Sequence, residues 1–324
     1  MPVTGPAHRP DTTRPIGQPM RIRIATCQFP VDADVRRNAR YVLRQMRAAK
    51  ERGARVTHFP ECALSGYAGA DFASYDGFDW ARLAACTDPV LDLARRLRLW
   101  VVLGSTHRLT GRHKPHNSLY IVDDRGAVVD RYDKRFCAGD RSGRTGDLAH
   151  YSPGDRSSVF TVDGVRCGAL ICHDYRYPEL YREYTRRGVH VVFHSYHAGH
   201  ITPKRLTDMR EYVGARFRTL NRGGTLPGIT MPATMVAAAA TNHVWISCSN
   251  TSARESCWAS FFVRPDGVVT GRLPLNRAGV LISTVDTREP IYDSTVSWRA
   301  RAMRGVLHSG TLVNDRRSAQ RTRL

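Results

Sequence analysis

Short apolar runs of strand length alternate with stretches whose apolar residues recur every three or four positions, from about residue 21 to about residue 298. RIRIATCQF reads as an edge-to-core strand, and Val35, Ala39, Val42, Met46 and Ala49 then mark an amphipathic helix. RVTHF is the next strand. Asp88 and Pro89 have the character of an N-cap and a first-turn proline, opening a helix that turns Val90, Leu93, Ala94 and Leu97 inward. WVVLGST follows as a strand, and NSLYIVDDRGAVVDRY folds as a hairpin about Asp124 to Gly126. Asp163-Gly164 is a two-residue hairpin signal leading into an apolar strand from Val165 to Ile171. Pro178 suits the first turn of a helix that closes at Gly188. The strand VHVVFHS, a polar and basic stretch, a helix over PATMVAAAATN and the strand HVWISCSN come next. FFVRPDGVVTGRL is a further hairpin and GVLISTVDT a last strand. Such alternation predicts an α/β fold, with a mixed sheet or a pair of sheets covered by helices.

Composition sets the limits. A chain of 324 residues with 42% hydrophobic content can bury a sizeable core, and no internal repeat or interior linker divides it. No eighteen consecutive residues are apolar, and the N-terminal MPVTGPAHRPDTTRPIGQPM is Pro-rich and polar without an apolar h-region. The expectation is a flexible tail over residues 1–20, one domain over 21–300, a basic tail over 301–324, and a soluble, cytoplasmic protein without a membrane anchor. The eight cysteines show no CxxC pair, so reduced thiols are expected. His194, His197 and His200 stand at three-residue intervals, but helical zinc motifs favour i, i+4 spacing and no HExxH occurs, so no metal is expected. The formal charge of +20 lies mostly outside the two tails. It is read as an Arg-rich solvated surface and not a nucleic-acid site, because no RNP sequence, zinc finger or basic-aromatic stripe accompanies it.

Three strand ends carry the candidate chemistry. Glu61 lies in RVTHFPECALSGY, Lys134 in GAVVDRYDKRFC and Cys172 in DGVRCGALICHDYRYPELYRE. A thiol near its reference pKa of about 8.5 is only a few per cent thiolate at neutral pH, so a nucleophilic cysteine needs a base or a nearby positive charge. Glu61 supplies the base and Lys134 the charge, which implies a low thiol pKa at Cys172. When a thiolate attacks an amide or nitrile carbon, negative charge develops on the substrate and needs fixed donors. Lys134 and the backbone N–H of His173 are the candidates. Cys172 falls where a strand gives way to a turn and a helix, an elbow that exposes a side chain and frees backbone N–H groups.

These three segments, in this order, resemble the catalytic Glu, Lys and Cys motifs of the nitrilase superfamily, the carbon-nitrogen hydrolases. The resemblance implies a nitrilase-type α-β-β-α sandwich of four layers per subunit, pairing through outer helices into an αββααββα homodimer or a larger homo-oligomer. It implies a cysteine-dependent amidohydrolase that works through a thioester on a small amide, N-carbamoyl or nitrile compound, with no cofactor. Nitrilases and acyltransferases use the same three residues, and a non-catalytic basic binding protein retaining the fold is the alternative from another class. Family members usually carry a second Glu seven residues before the glycine of a PG-like turn. In GDLAHYSPG that position is Asp147, one methylene shorter. His194, Ser195 and Asn250, at strand ends, are candidate substrate-binding residues. Where the family often has an Arg, an Ala and Glu-Asn, this chain has Ala238 to Asn242, which reads as the joint loss of a structural ion pair. The stretch 201–230 looks like a basic insertion, with six Lys or Arg against Asp208 and Glu211.

Overall fold

A computed structural model describes residues 20–322. The tail expected over residues 1–20 falls, apart from Met20, outside them. Two six-stranded sheets stand among the described residues. The strands in chain order are β1 (Arg21–Gln28), β2 (Val56–His58), β3 (Trp100–His107), β4 (His116–Val122), β5 (Val128–Asp133), β6 (Val159–Val162), β7 (Val165–Ile171), β8 (Val191–Ser195), β9 (Trp245–Ser249), β10 (Phe261–Val263), β11 (Val269–Arg272) and β12 (Gly279–Asp286). The first sheet runs β12-β1-β2-β3-β4-β5 and the second β11-β10-β9-β8-β7-β6. The central strands β1, β2 and β3 are mutually parallel, as are β7, β8 and β9. Their C-terminal ends therefore point one way within each sheet, and the candidate residues follow β2 and β7.

The main helices are α1 (Val35–Glu51), α2 (Trp80–Leu97), α3 (Pro178–Arg186), α4 (Pro203–Val213), α5 (Ala215–Arg218) and α6 (Leu226–Asn242). Strand alternation sets the layers. Ile22 and Ile24 of β1 pack with the second sheet, whereas Ala25 and Cys27 join Val42, Met46 and Leu93 of α1 and α2. Leu180 and Tyr184 of α3 and Met235 of α6 cover the second sheet. The result is the expected α-β-β-α sandwich.

One polar chain crosses between the sheets, and its directions can be worked out from its end. The Ser195 hydroxyl donates to the Phe59 carbonyl at 2.8 Å, so it accepts from His58 Nε2 at 2.8 Å. His58 Nδ1 then accepts from the Ser247 hydroxyl at 2.8 Å, which in turn accepts from Thr26 at 2.7 Å. Burial pushes the His58 pKa down to about 3, which keeps the ring neutral and the chain directional. Phe59 is thereby fixed two residues before Glu61.

Three sequence expectations shift. β1 is an interior strand, flanked by β12 and β2. α2 starts nine residues before Pro89, because the Asp79 carboxylate caps the Arg82 N–H at 2.8 Å. Pro89 deprives that helix of one N–H, but burial of Leu83, Val90, Leu93 and Ala94 along one face holds it together. α6 begins at Leu226, since the Thr225 hydroxyl accepts from Gly228 N–H at 3.2 Å and Pro227 lies in a first turn that needs no N–H. Pro-Gly reads as loop punctuation only when no such cap precedes it. Residues 201–230 thus hold α4, α5 and the start of α6, and neither α4 nor α5 buries a residue. Among the described residues no helix is long and apolar enough to cross a membrane.

Candidate active site

Glu61 sits in a tight turn pressed onto β3. A Cβ at Gly104 would meet the Pro60 carbonyl at 1.9 Å, so only glycine permits this approach. The Leu64 N–H donates to Gly104 O at 2.9 Å, and the Glu61 N–H donates to Tyr196 O at 3.3 Å. Lys134 directly follows β5. Its N–H donates to Asn117 O and its carbonyl accepts from Gly154 N–H, at 2.9 and 2.8 Å. A side chain at Gly154 would collide with Asp133 O, 2.5 Å from its Cβ. Cys172 ends β7 at φ +40°, in the left-handed region, and opens a 3-10 helix over Cys172–Arg176. The leading N–H groups of such a turn lack intrahelical partners, which leaves that of His173 available.

Asp174 ties the elbow to the lysine loop. Its carboxylate accepts from Ile171 N–H at 3.0 Å, Phe136 N–H at 2.9 Å and the Tyr132 hydroxyl at 2.8 Å. Burial pushes its pKa up to about 6.

The structure brings Glu61, Lys134, Asp147 and Cys172 together. The Lys134 ammonium lies 2.8 Å from Glu61 Oε1 and 2.6 Å from Asp147 Oδ2. Asn117 Nδ2 donates to the same Glu61 Oε1 at 2.7 Å, while Glu61 Oε2 is buried without a hydrogen-bond partner. Asp147, on a 3-10 helix over Gly146–Ala149, also accepts from Ala138 N–H at 2.9 Å and from the Tyr67 hydroxyl. The shorter side chain is thus met by a turn that carries it to the lysine.

Electrostatics follow from one cation facing two carboxylates. Burial alone would lower the Lys134 pKa, but Asp147 and Glu61 outweigh it and hold the ammonium well above its ordinary value. Burial likewise works to raise Asp147, and Lys134 with its hydrogen-bond donors holds it below the usual carboxylate range. Burial and then Glu61 push the Cys172 thiol up, against the pull of Lys134. This corrects the low thiol pKa expected from Lys134 alone.

The polar atoms of the three expected substrate-binding residues, His194, Ser195 and Asn250, are engaged internally. His194 is buried and held neutral by burial; its Nε2 donates to Cys172 O at 3.3 Å, and Nδ1 accepts from Tyr181 at 2.8 Å. It steadies the Cys172 backbone. Ser195 belongs to the inter-sheet chain. Asn250 Oδ1 accepts from Ala198 N–H at 2.8 Å and its Nδ2 donates to Trp258 O at 2.7 Å, which pins the loop after β8. Sequence reasoning missed Tyr67, Asn117 and Asp174. Tyr67 lies six residues after Glu61 in the same segment and was legible in principle; Asn117 acts from a strand far away in the chain.

Fold and site define an α/β sandwich that converges a thiol, a free carboxylate oxygen and a doubly paired ammonium. The family model for carbon-nitrogen hydrolases matches residues 23–290, and the chain belongs to that family. Among curated relatives, 2-oxoglutaramate amidase of Bacillus subtilis (strain 168) is 28% identical over 142 residues, 43% of this chain and 51% of the relative. An (R)-stereoselective amidase of a Pseudomonas species is 31% identical over 142 residues, 41% of this chain and 45% of that protein. The chloroplastic omega-amidase of Arabidopsis thaliana is 24% identical over 177 residues, 53% of this chain and 48% of that protein. The chain spans about half the length of the curated relatives it matches. Among solved structures, an amidase from a Nesterenkonia species aligns with TM-score 0.64 at 21% identity, over 88% of this chain and 96% of that one, which establishes the shared fold.

Proposed function

We propose that this chain is a cysteine amidohydrolase that cleaves a non-peptide C–N bond of a small amide or N-carbamoyl compound. The observation that carries this reading is Glu61 with one oxygen bound to Lys134 and Asn117 and the other free, beside the Cys172 thiol. Glu61 takes the thiol proton as sulfur attacks the carbonyl carbon, so charge separation develops only with substrate in place. Two of the three ammonium hydrogens of Lys134 are occupied by carboxylates. The third, with the His173 N–H, receives the oxyanion. Protonated Glu61 gives its proton to the departing nitrogen, and ammonia or an amine leaves as the thioester forms. Glu61 then takes a proton from water, the hydroxide attacks the thioester, and the expelled Cys172 sulfur regains its proton from Glu61. Every proton is returned and no redox step occurs.

The amidase relatives support an amide substrate. In a variant of the Nesterenkonia amidase, the acetamide moiety of fluoroacetamide is covalently attached to the active-site cysteine, which supports nucleophilic attack by the equivalent group here. All eight cysteines are free thiols, in keeping with a reducing, cytoplasmic setting. By family resemblance the chain pairs through its outer helices as a homodimer. The test is substitution: Cys172→Ala should stay folded and release no ammonia from an amide panel, whereas Cys167→Ala should retain most turnover. Normal turnover by Cys172→Ala would end the proposal.

A further inference from the structure

Beside the catalytic cluster lies a second group of ionisable residues that the mechanism leaves unused. Asp71, in the loop after β2, has a fully buried side chain, and both of its oxygens are engaged. Oδ2 lies 3.0 Å from His197 Nε2 and accepts from Tyr67 N–H at 2.9 Å; Oδ1 lies 2.7 Å from His200 Nδ1. His197 is 1% exposed and His200 42% exposed, so the group runs from the interior to the surface. The His197 ring stacks on Tyr67, with centroids 5.0 Å apart and planes 21° from parallel. Tyr67 bonds Asp147, and the Lys134 ammonium lies 5.9 Å from the Tyr67 ring centroid.

We propose that His197, anchored by Asp71, is a positioning residue for the catalytic cluster: its ring fixes Tyr67, the Tyr67 hydroxyl fixes Asp147, and Asp147 fixes the Lys134 ammonium. This rests on reading that cluster as the amidohydrolase site. The charged groups acting on His197 are Asp71, which His200 shares, and Glu61, whose N–H bonds the carbonyl of the adjacent Tyr196. Burial would drive the His197 proton off, but Asp71 and Glu61 hold its pKa above the ordinary histidine value. A buried ion pair is a weak source of net stability, since apolar residues of similar volume often replace it without loss. What this pair adds is a fixed ring plane against Tyr67, and through that ring a defined direction for the third lysine hydrogen.

The experiment is a double-substitution cycle on the amide that wild type hydrolyses, reading kcat and KM separately. His197→Leu should lower kcat about tenfold with KM within about threefold, because the loss falls on transition-state stabilisation. Tyr67→Phe should lower kcat at least as much, and the double variant should be no slower than Tyr67→Phe alone, since residues acting in series are non-additive. His200→Ala, at the surface where folding is not at risk, should lower kcat about twofold to threefold and add nothing to Tyr67→Phe. Unchanged kcat in His197→Leu, or losses that multiply in the double variant, would overturn the inference. Should His197→Leu fail to fold, full kcat in His200→Ala overturns it. A wild-type protein that hydrolyses no amide overturns the amidohydrolase reading itself, an outcome distinct from active wild type with unaffected variants.

Discussion

Asp147→Asn is the most informative single change at the site, because it keeps the shape of the side chain and removes its charge. Asp147 Oδ2 accepts from Lys134 at 2.6 Å and from Ala138 N–H at 2.9 Å, while Oδ1 accepts from the Tyr67 hydroxyl. An amide has one acceptor oxygen, so its NH2 group must face a position that now receives a donor. Hydrogen bonds to a charged group contribute about 1.5–3 kcal/mol against about 1 kcal/mol for neutral ones, so the lysine loses roughly 1–2 kcal/mol of anchoring. If that loss falls on the oxyanion step, kcat drops about 5- to 30-fold, since each 1.36 kcal/mol is a factor of ten. KM should move by less than about threefold, because in the proposed mechanism the ammonium meets charge that appears only in the transition state. Steady-state ammonia release measures both, and a thermal melt checks folding. A kcat within twofold of wild type, with a native melt, would refute the reasoning and reduce Asp147 to a turn residue.

Further outcomes are expected from the same geometry. The raised pKa of Asp174 means the folded state holds its proton more tightly than an unfolded chain does, so this stabilisation is present below about pH 4 and lost as pH rises through about 6. The shift from 3.8 to about 6 corresponds to roughly 3 kcal/mol, so denaturant titrations of wild type and Asp174→Asn should change their stability gap by that order between pH 4 and 6, in favour of the variant. A constant gap would show that Asp174 does not titrate there. His197 is raised and Asp71 lowered, so their stabilisation is lost as pH rises through the folded pKa of His197 and as it falls through that of Asp71. His197→Leu should flatten the alkaline limb of the stability profile; an unchanged limb would place the titration elsewhere. Gly104→Ala should unfold the protein or abolish activity, because its Cβ meets the Pro60 carbonyl at 1.9 Å, and a fully active variant would refute the tight packing of the Glu61 turn.

The parts of the site that were legible in the sequence are those carried by strand ends. Glu61, Lys134 and Cys172 each close an apolar run, so local pattern points to them, whereas Asp147 was expected only from the family resemblance. Their companions are positioned by tertiary contact alone. Asn117 reaches Glu61 past the intervening β3, and the polar chain from Thr26 through Ser247 and His58 to Ser195 joins four distant segments. Nothing local shows that His194 and Ser195, at a strand end, are buried with their polar atoms bonded inside the fold. The direction of the Cys172 shift was hidden for a related reason: its largest cause is burial, which only the fold shows. The helix starts at Trp80 and Leu226 were hidden because Pro89 and Pro232, which lie inside those helices, suggest boundaries that the earlier caps override.

Covalent capture at Cys172 tests the proposed chemistry most directly. Wild-type protein mixed with small amides and N-carbamoyl compounds, then quenched in acid within one turnover, should gain the mass of one acyl group. Peptide mapping should place that group on Cys172, and Cys172→Ala should gain nothing. Turnover with no adduct at any quench time, or an adduct on Cys62 or Cys137 with Cys172 unmodified, would contradict the thioester route.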